Sequence, residues 1–204
     1  MSTVPLDLET DAVLLPPVEW PQVSLREALQ RRCSMREFAA DALPLATLSA
    51  LLWAGFGVNR RERGGRTAPS AHDWQEIVLY AVLAEGAYRY DAHQQRLLLV
   101  KAEDLRRHSG TQDFVAAAPL NLVLVADFAR MRDARDDRER EFLAGADAGC
   151  IAQNIGLACA VLGLAAVVRG LIDRRTLALA LALTPTQRIA LAVTVGRPRS
   201  GAVP

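Results

Sequence analysis

The chain should fold as one domain that mixes helices and strands. Three features point there. Between residues 77 and 100, short β-type segments follow one another with turn residues between them. Residues 120–126 are an apolar run of strand length, the pattern of a strand central in a sheet. Residues 139–162 are apolar nearly all round, the pattern of a buried helix. With 204 residues the chain can bury a sizeable core without a second domain.

The elements follow in order. Residues 1–22 read as an extended arm, because Pro5, Pro16, Pro17 and Pro21 forbid a continuous helix, and residues 23–204 form the domain. Ser24 is a good N-cap with Glu27 placed to complete a capping box, so a short helix covers 24–30 with Leu25, Ala28 and Leu29 on its apolar face. Pro44 begins a second helix, reaching residue 53, with Leu45, Leu48, Leu51 and Leu52 on one side. Residues 55–65 are rich in Gly and Arg and read as a mobile, solvated loop. Residues 66–76 are dense in small and hydrogen-bonding side chains and feed a strand over 77–83. Glu85-Gly86 makes a hairpin turn, 88–91 and 96–100 are further strands, and 92–95 turns between them. Short helical pieces are expected at 104–108 and 112–116. Residues 130–141 alternate in charge, as an exposed helical surface does. In the long helix, Gly145, Gly149, Ala152, Gly156, Ala160 and Gly163 make a face nearly free of side chains, open to close helix packing or to a flat ligand. A strand over 165–168 ends at Arg169-Gly170, Asp173 caps a helix over 174–183, and 187–195 is the last strand. No internal repeat, low-complexity tract or interdomain linker is present.

Composition removes several function classes. Apolar residues are 51% of the chain and the net charge is +1, so no global field recruits nucleic acid or a membrane surface. The Arg-rich loop lacks the aromatic interleaving of an RNA contact. Cys33, Cys150 and Cys159 lack metal-ligand spacing and fit a reducing compartment. The first eleven residues are acidic and have no signal-peptide pattern. Residues 148–168 carry no charge and have the length of a bilayer span, but Asp147 and Arg169 flank them and Gly163 interrupts them. A buried helix running into a strand is expected there, and a cytoplasmic location.

Most catalytic arrangements fail for lack of residues. There is no H-E-x-x-H, no Cys/His cluster, no G-x-S-x-G elbow and no P-loop. His72, His93 and His108 lie in loops or near helix ends. A chain this poor in nucleophiles and bases points to chemistry carried by a cofactor. One stretch suits an anion. Residues 31–36 hold Arg31, Arg32, Ser34 and Arg36, three guanidinium forks and a hydroxyl. On its own that stretch reads first as a solvated helix end whose charge complements the dipole, and second as an anion site.

The ordered set of motifs resembles the FMN-dependent nitroreductase superfamily. It runs Arg32-x-Ser34-x-Arg36-x-Phe38, then Leu51-Leu52-Trp53-Ala54-Gly55-Phe56-Gly57-Val58-Asn59-Arg60, then Arg66-Thr67-Ala68-Pro69-Ser70-Ala71. Gln153-Asn154, Gly163-Leu164, Val168-Arg169-Gly170 and Val195-Gly196-x-Pro198 continue it over residues 24–198. Each motif is weak alone; the order makes the set specific. The Arg-Thr-Ala-Pro-Ser-Ala block is similar to the branch near the SagB-type, azoline-oxidising dehydrogenases.

The resemblance implies an α+β, nitroreductase-like fold, a mostly antiparallel central sheet wrapped by helices, in an intimate homodimer with FMN at the interface. It implies that Arg32 and Ser34 hold the ribityl phosphate and that Arg36 reaches the N1/O2 side of the ring. Pro69, Ser70, Ala71 and Asp73 would serve the flavin across the interface. Val168, Arg169 and Gly170 would pass the flavin edge with a backbone N–H at N5 or O4. The implied activity is ping-pong transfer from transiently bound NAD(P)H to a small electron-poor acceptor: a nitroaromatic, a quinone or an activated alkene. A dehydrogenase acting oxidatively on a biosynthetic intermediate, and a non-catalytic FMN-binding protein, are the alternatives. No metal, nucleic acid or membrane partner is implied, and no acid–base residue is nominated. Four departures stand out: Cys33 replaces a second arginine, Asp73 stands where relatives often carry Asn, Arg169 stands where many carry Glu, and little chain follows Pro198.

Overall fold

A computed structural model describes residues 12–201. Residues 1–11 of the expected arm lie outside the described residues, as do 202–204. The first described segment is already a strand, β1 (Ala12–Leu14), laid along the sheet edge.

The expected hairpins form. β4 (Ile77–Val82), β5 (Ala87–Asp91) and β6 (Arg96–Lys101) pair antiparallel in sequence order, with Ala81 opposite Tyr88 and Tyr90 opposite Leu97. Glycine is required at the first turn, because a Cβ on Gly86 would lie 2.6 Å from the Lys101 carbonyl oxygen. β7 (Leu120–Asp127) is buried on both faces and lies between β4 and β9 (Gln187–Gly196). β8 (Ala165–Arg169) closes the far edge against β9. The seven-stranded order is β1-β6-β5-β4-β7-β9-β8, and every pairing in it is antiparallel.

The two-residue period of the strands sorts the core into two layers. Leu79, Ala81, Leu122, Leu124, Val193 and Val195 face the layer built by α2 (Leu45–Phe56) and α4 (Asp137–Val161). Tyr80, Val82, Val123 and Val125 face a smaller cluster with Ile172 and with Leu177 of α5 (Arg174–Ala180). Each fully buried aliphatic side chain contributes roughly 1.5–3 kcal/mol. The remaining helices are short: α1 (Leu25–Arg31) on the α4 side and α3 (Asp113–Ala117) before β7.

Three local expectations change. The segment over 55–65 is not structureless. It contains the ribbon of β2 (Val58–Arg60) and β3 (Gly65–Arg66), joined by a 3-10 turn ending in left-handed Gly64. The long helix starts earlier, at Asp137, because Asp136 caps it by accepting from the Glu139 N–H at 2.9 Å. It is also not buried all round. Ala144, Ala148, Ile151, Ile155 and Cys159 face the core, while Gly145, Ala146, Cys150 and Gln153 are exposed. By length and hydropathy this helix could cross a membrane. Here it packs between α2 and the sheet and runs into β8, the expected alternative to a span.

Candidate functional site

The arginine stretch begins where α1 ends. Ser24 accepts from the Glu27 N–H at 3.2 Å, which fixes the start of the helix. The Glu27 carboxylate pairs with Arg31 instead of completing the capping box. Arg31 is thereby engaged, and the helix stops at Arg32, whose backbone is extended. The next residues are fastened to the sheet. The Met35 N–H donates to the Ala166 carbonyl at 2.9 Å, Phe38 bridges Pro198, and Ala39 N–H reaches the Arg197 carbonyl at 2.9 Å. Arg199, in turn, pairs with Glu37.

This stitching leaves Arg32, Ser34 and Arg36 together beside β8 and α4. The aliphatic stem of Arg32 lies over Gly156, where an added Cβ would come within 3.7 Å of it. Ser34 and Arg36 are exposed and Arg32 is half-buried. Their neighbours Arg31 and Arg199 have carboxylate partners, whereas none of these three side chains has a hydrogen-bond or ion-pair partner among the described residues. β8 adds backbone donors. The Ala166 carbonyl, bonded to Met35, points away from β9, so by the strand's two-residue period the N–H groups of Val168 and Gly170 point to the same open edge. The Val168 side chain is 45% exposed there.

Arg169, between them, turns the other way. Its side chain is buried and all three nitrogen positions donate: Nε to Thr194 Oγ1 at 2.7 Å, one terminal nitrogen to the Ser109 carbonyl at 2.9 Å, the other to Asn121 Oδ1 at 3.1 Å. Burial lowers its pKa to about 10, which keeps it charged at neutral pH.

Pro69, Ser70, Ala71 and Asp73 lie elsewhere. The Asn154 side chain donates to the Thr67 carbonyl at 3.2 Å, and Asp147 accepts from the Ala71 N–H at 2.7 Å, so the loop lies along α4. Asp147 and Gly156 are nine residues apart on one helix, which places the Ala71 end of this loop and Arg32 on the order of 13 Å apart along its axis. The structure therefore sets Arg32, Ser34 and Arg36 beside β8, with Val168 and Gly170 farther along that segment, and holds Ala71 farther along α4 at Asp147. Asp73 is exposed and its carboxylate accepts from Gln75 Nε2 at 2.9 Å.

The loop is strained. His72, Asp73 and Gln75 have φ of 51°, 52° and 50°, left-handed backbone without glycine. Each such residue costs about 1–2 kcal/mol and persists only where its surroundings over-determine it. Here they do. Gln75 accepts from Arg66 Nε at 2.7 Å through its side chain and from Arg130 at 2.7 Å through its carbonyl. His72 stacks on Trp74 with ring centroids 4.5 Å apart.

Beneath the loop are two residues that sequence reasoning passed over. Glu76 is fully buried and accepts from the Ser70 hydroxyl at 3.1 Å, and Asp147 is only 6% exposed. Burial, and then the negative charge of Asp147, raise the Glu76 pKa to about 6. Glu76 Oε1 is buried with no partner among the described residues. The available signal was an acid directly before a core strand and another inside a helix of small residues.

Comparison with known proteins shows the family. The model of the nitroreductase family matches residues 29–197. A candidate nitroreductase of Methanocaldococcus jannaschii is 30% identical over 172 residues, spanning 79% of this chain and 85% of that protein. The crystal structure of a candidate nitroreductase from Ralstonia eutropha JMP134 is 43% identical with a TM-score of 0.88, covering 96% of this chain and 93% of the other. A candidate nitroreductase from Desulfovibrio desulfuricans, solved in complex with FMN, shares the fold with a TM-score of 0.64 at 22% identity, over 90% of this chain and 91% of its own.

Proposed function

The chain belongs to the nitroreductase family, and from that premise we propose that it is an FMN-dependent NAD(P)H oxidoreductase. The observation that carries the reading is the set of three free donors, Arg32, Ser34 and Arg36, pinned beside the open edge of β8. Two cationic forks and a hydroxyl suit a dianionic phosphate and an electron-rich ring edge.

Bound FMN would supply the two-electron chemistry, taking hydride from NAD(P)H and passing it to an electron-poor acceptor such as a nitroaromatic, quinone or activated alkene. The chain's own residues bind and orient. Arg32 and Ser34 hold the phosphate. Arg36 sets a fixed positive charge at the N1/O2 side, where charge builds up on reduction. The N–H groups at Val168 and Gly170 would donate to the edge of the ring. Catalysis is mostly positioning over the ring.

The reading includes a homodimer. Pro69, Ser70, Ala71 and Asp73 of one protomer would line the flavin held by the other, which gives their distance from Arg32 a reason. The exposed small-residue face of α4 and exposed Leu25, Leu29 and Phe142 suit a protomer contact. Gly145 and Gly149 have open space where a Cβ would be, so a second helix can approach closely. We place the flavin domain at 23–204 with 1–22 as its arm, and the protein in the cytoplasm.

One visible spectrum of purified protein, before and after NAD(P)H, tests the core of this. The expected result is a yellow protein that bleaches; colourless protein that takes up no FMN would end the reading. Arg36→Ala should lower FMN retention and slow reduction, and unchanged flavin occupancy would remove its assigned role. Rapid NAD(P)H oxidation with menadione or nitrofurazone supports a reductase. Bound FMN that NAD(P)H does not reduce would favour an oxidative dehydrogenase or a flavin-storing protein, and gene neighbourhood separates those two.

A further inference from the structure

The loop over 70–75 is held at its 75 end by Arg66 and Arg130, both donating to Gln75, and at its 70–71 end by two acids. Asp147 of α4 takes the Ala71 N–H at 2.7 Å. Glu76, at the foot of β4, takes the Ser70 hydroxyl at 3.1 Å, and that same oxygen accepts the Gln75 N–H at 2.8 Å. Three left-handed non-glycine residues lie between these anchor points. Such a loop opens unless its anchors hold.

The two anchors are buried and take consecutive residues of the loop, and no cation pairs with either among the described residues. Arg66 and Arg130 are the nearest arginines in the network, but both donate to Gln75. Arg130 also approaches Asp127, at 3.9 Å. His72 and Asp73 are exposed in the loop itself, and Glu139 lies two turns upstream on α4, paired with Arg135. Among the described residues neither Glu76 nor Asp147 has an ion-pair partner. Two buried carboxylates in contact without a cation cannot both stay ionised cheaply. The remaining free oxygen, Glu76 Oε1, is buried and has no partner. A proton on it satisfies both problems at once: it removes one charge and donates a hydrogen bond to Asp147.

We propose that Glu76 carries a proton beside Asp147 and that the two act as a positioning pair, clamping the 70–71 end of the loop in the shape that lines the flavin site. This rests on the flavin reading for the loop's target, not for the clamp itself. When that proton leaves to solvent, two carboxylates are left in contact, and the loop is the element that can move to separate them. Above that point the lip of the site loosens; below it the lip is set.

The test uses full-length protein labelled at Asp and Glu carboxyl carbons, with Ala71 amide exchange followed in the same samples, with and without FMN. In the wild type one of the two carboxyls should titrate near pH 6, above the ordinary carboxylate range. Ala71 exchange, corrected for its intrinsic pH dependence, should quicken by about tenfold across that step. The amide of Val123 in β7 should show no such step. Glu76→Gln keeps a donor toward Asp147 without a titrating proton, so Ala71 should stay protected through pH 8 with the step gone. Flavin reduction by NAD(P)H should fall across the same step in the wild type and not in Glu76→Gln. Ordinary titration of both carboxyls, or an Ala71 exchange rate indifferent to the step, would overturn the clamp even with FMN bound normally. Protein that shows the step but never takes up FMN would instead sink the flavin reading and support the clamp. Should Glu76→Gln fold poorly, the wild-type titration decides alone.

Discussion

The two faces of the strand end at 165–169 carry opposite kinds of polar site. Inward, Arg169 gives its donors to Thr194, Ser109 and Asn121, and Thr194 also donates to Asn121 at 2.7 Å. Everything there is buried, and each of the three guanidinium nitrogens has an acceptor. Outward, Arg32, Ser34, Arg36 and the edge N–H groups have no protein partner among the described residues. The difference teaches how to read an arginine. A buried guanidinium with all its forks filled holds the fold together; a half-exposed one, pinned by its backbone and free at its tip, is placed for something else.

The largest expected effect comes from breaking the closed side. Asn121 Oδ1 accepts from both Arg169 and Thr194, and its amide donates to the Val115 carbonyl at 3.0 Å. Asn121→Ala should cost about 3 kcal/mol in urea unfolding, because it leaves a buried cation short of an acceptor. FMN affinity of the folded protein should move little. A loss below about 1 kcal/mol would mean that the network is not the keystone it resembles.

Breaking the open side should do the reverse. Arg32→Ala should weaken FMN binding roughly 10- to 100-fold, about 2 kcal/mol, by removing charge-assisted hydrogen bonds. FMN-free stability should change by no more than about 0.5 kcal/mol, since no protein partner is lost. Equal effects of both substitutions on stability would erase the contrast between the two faces.

The acid pair under the 70–75 loop lies between these extremes, and its signature is pH. Glu76 has a folded pKa of about 6 against an ordinary value of 4.5. The folded state thus binds the proton more tightly than the unfolded chain. The resulting stability is fully present below about pH 4.5 and is lost as pH rises through 6. About 2 kcal/mol is at stake. Chemical denaturation at pH 4.5 and pH 7 should show that fall, and Glu76→Gln should flatten it. The smallest effect belongs to the helix that delivers Arg32. Ser24→Ala removes the N-cap and should cost about 1 kcal/mol in thermal unfolding. It should weaken FMN less than Arg32→Ala does, because the backbone bond from Met35 to Ala166 still pins the segment.

Much of this was legible in the residues. Turn residues and alternating strands marked the hairpins from 77 to 100, and the apolar 120–126 run marked the strand at the centre of the sheet. The helix starts at 25 and 45 followed from Ser24 and Pro44. The motif order pointed to the family that the comparisons show. Other features left no local trace. The two-residue strand Gly65–Arg66 is too short to impose a period on the sequence. Nothing in the composition of 137–161 says which of its small residues face the core and which face outward.

What the sequence determined by itself was therefore the set of elements, the family, and the kind of chemistry its free arginines suit. Those depend on periodicity, turn chemistry and short ordered motifs, all within a few residues of one another. Only the tertiary structure decided that the Arg169 side chain fills a buried network, and that Glu76 and Asp147, 71 positions apart, anchor the same loop. Both outcomes depend on what the chain folds against. A side chain's charge is written in the sequence; whether burial leaves that charge satisfied, shared or free is settled by neighbours brought from far along the chain.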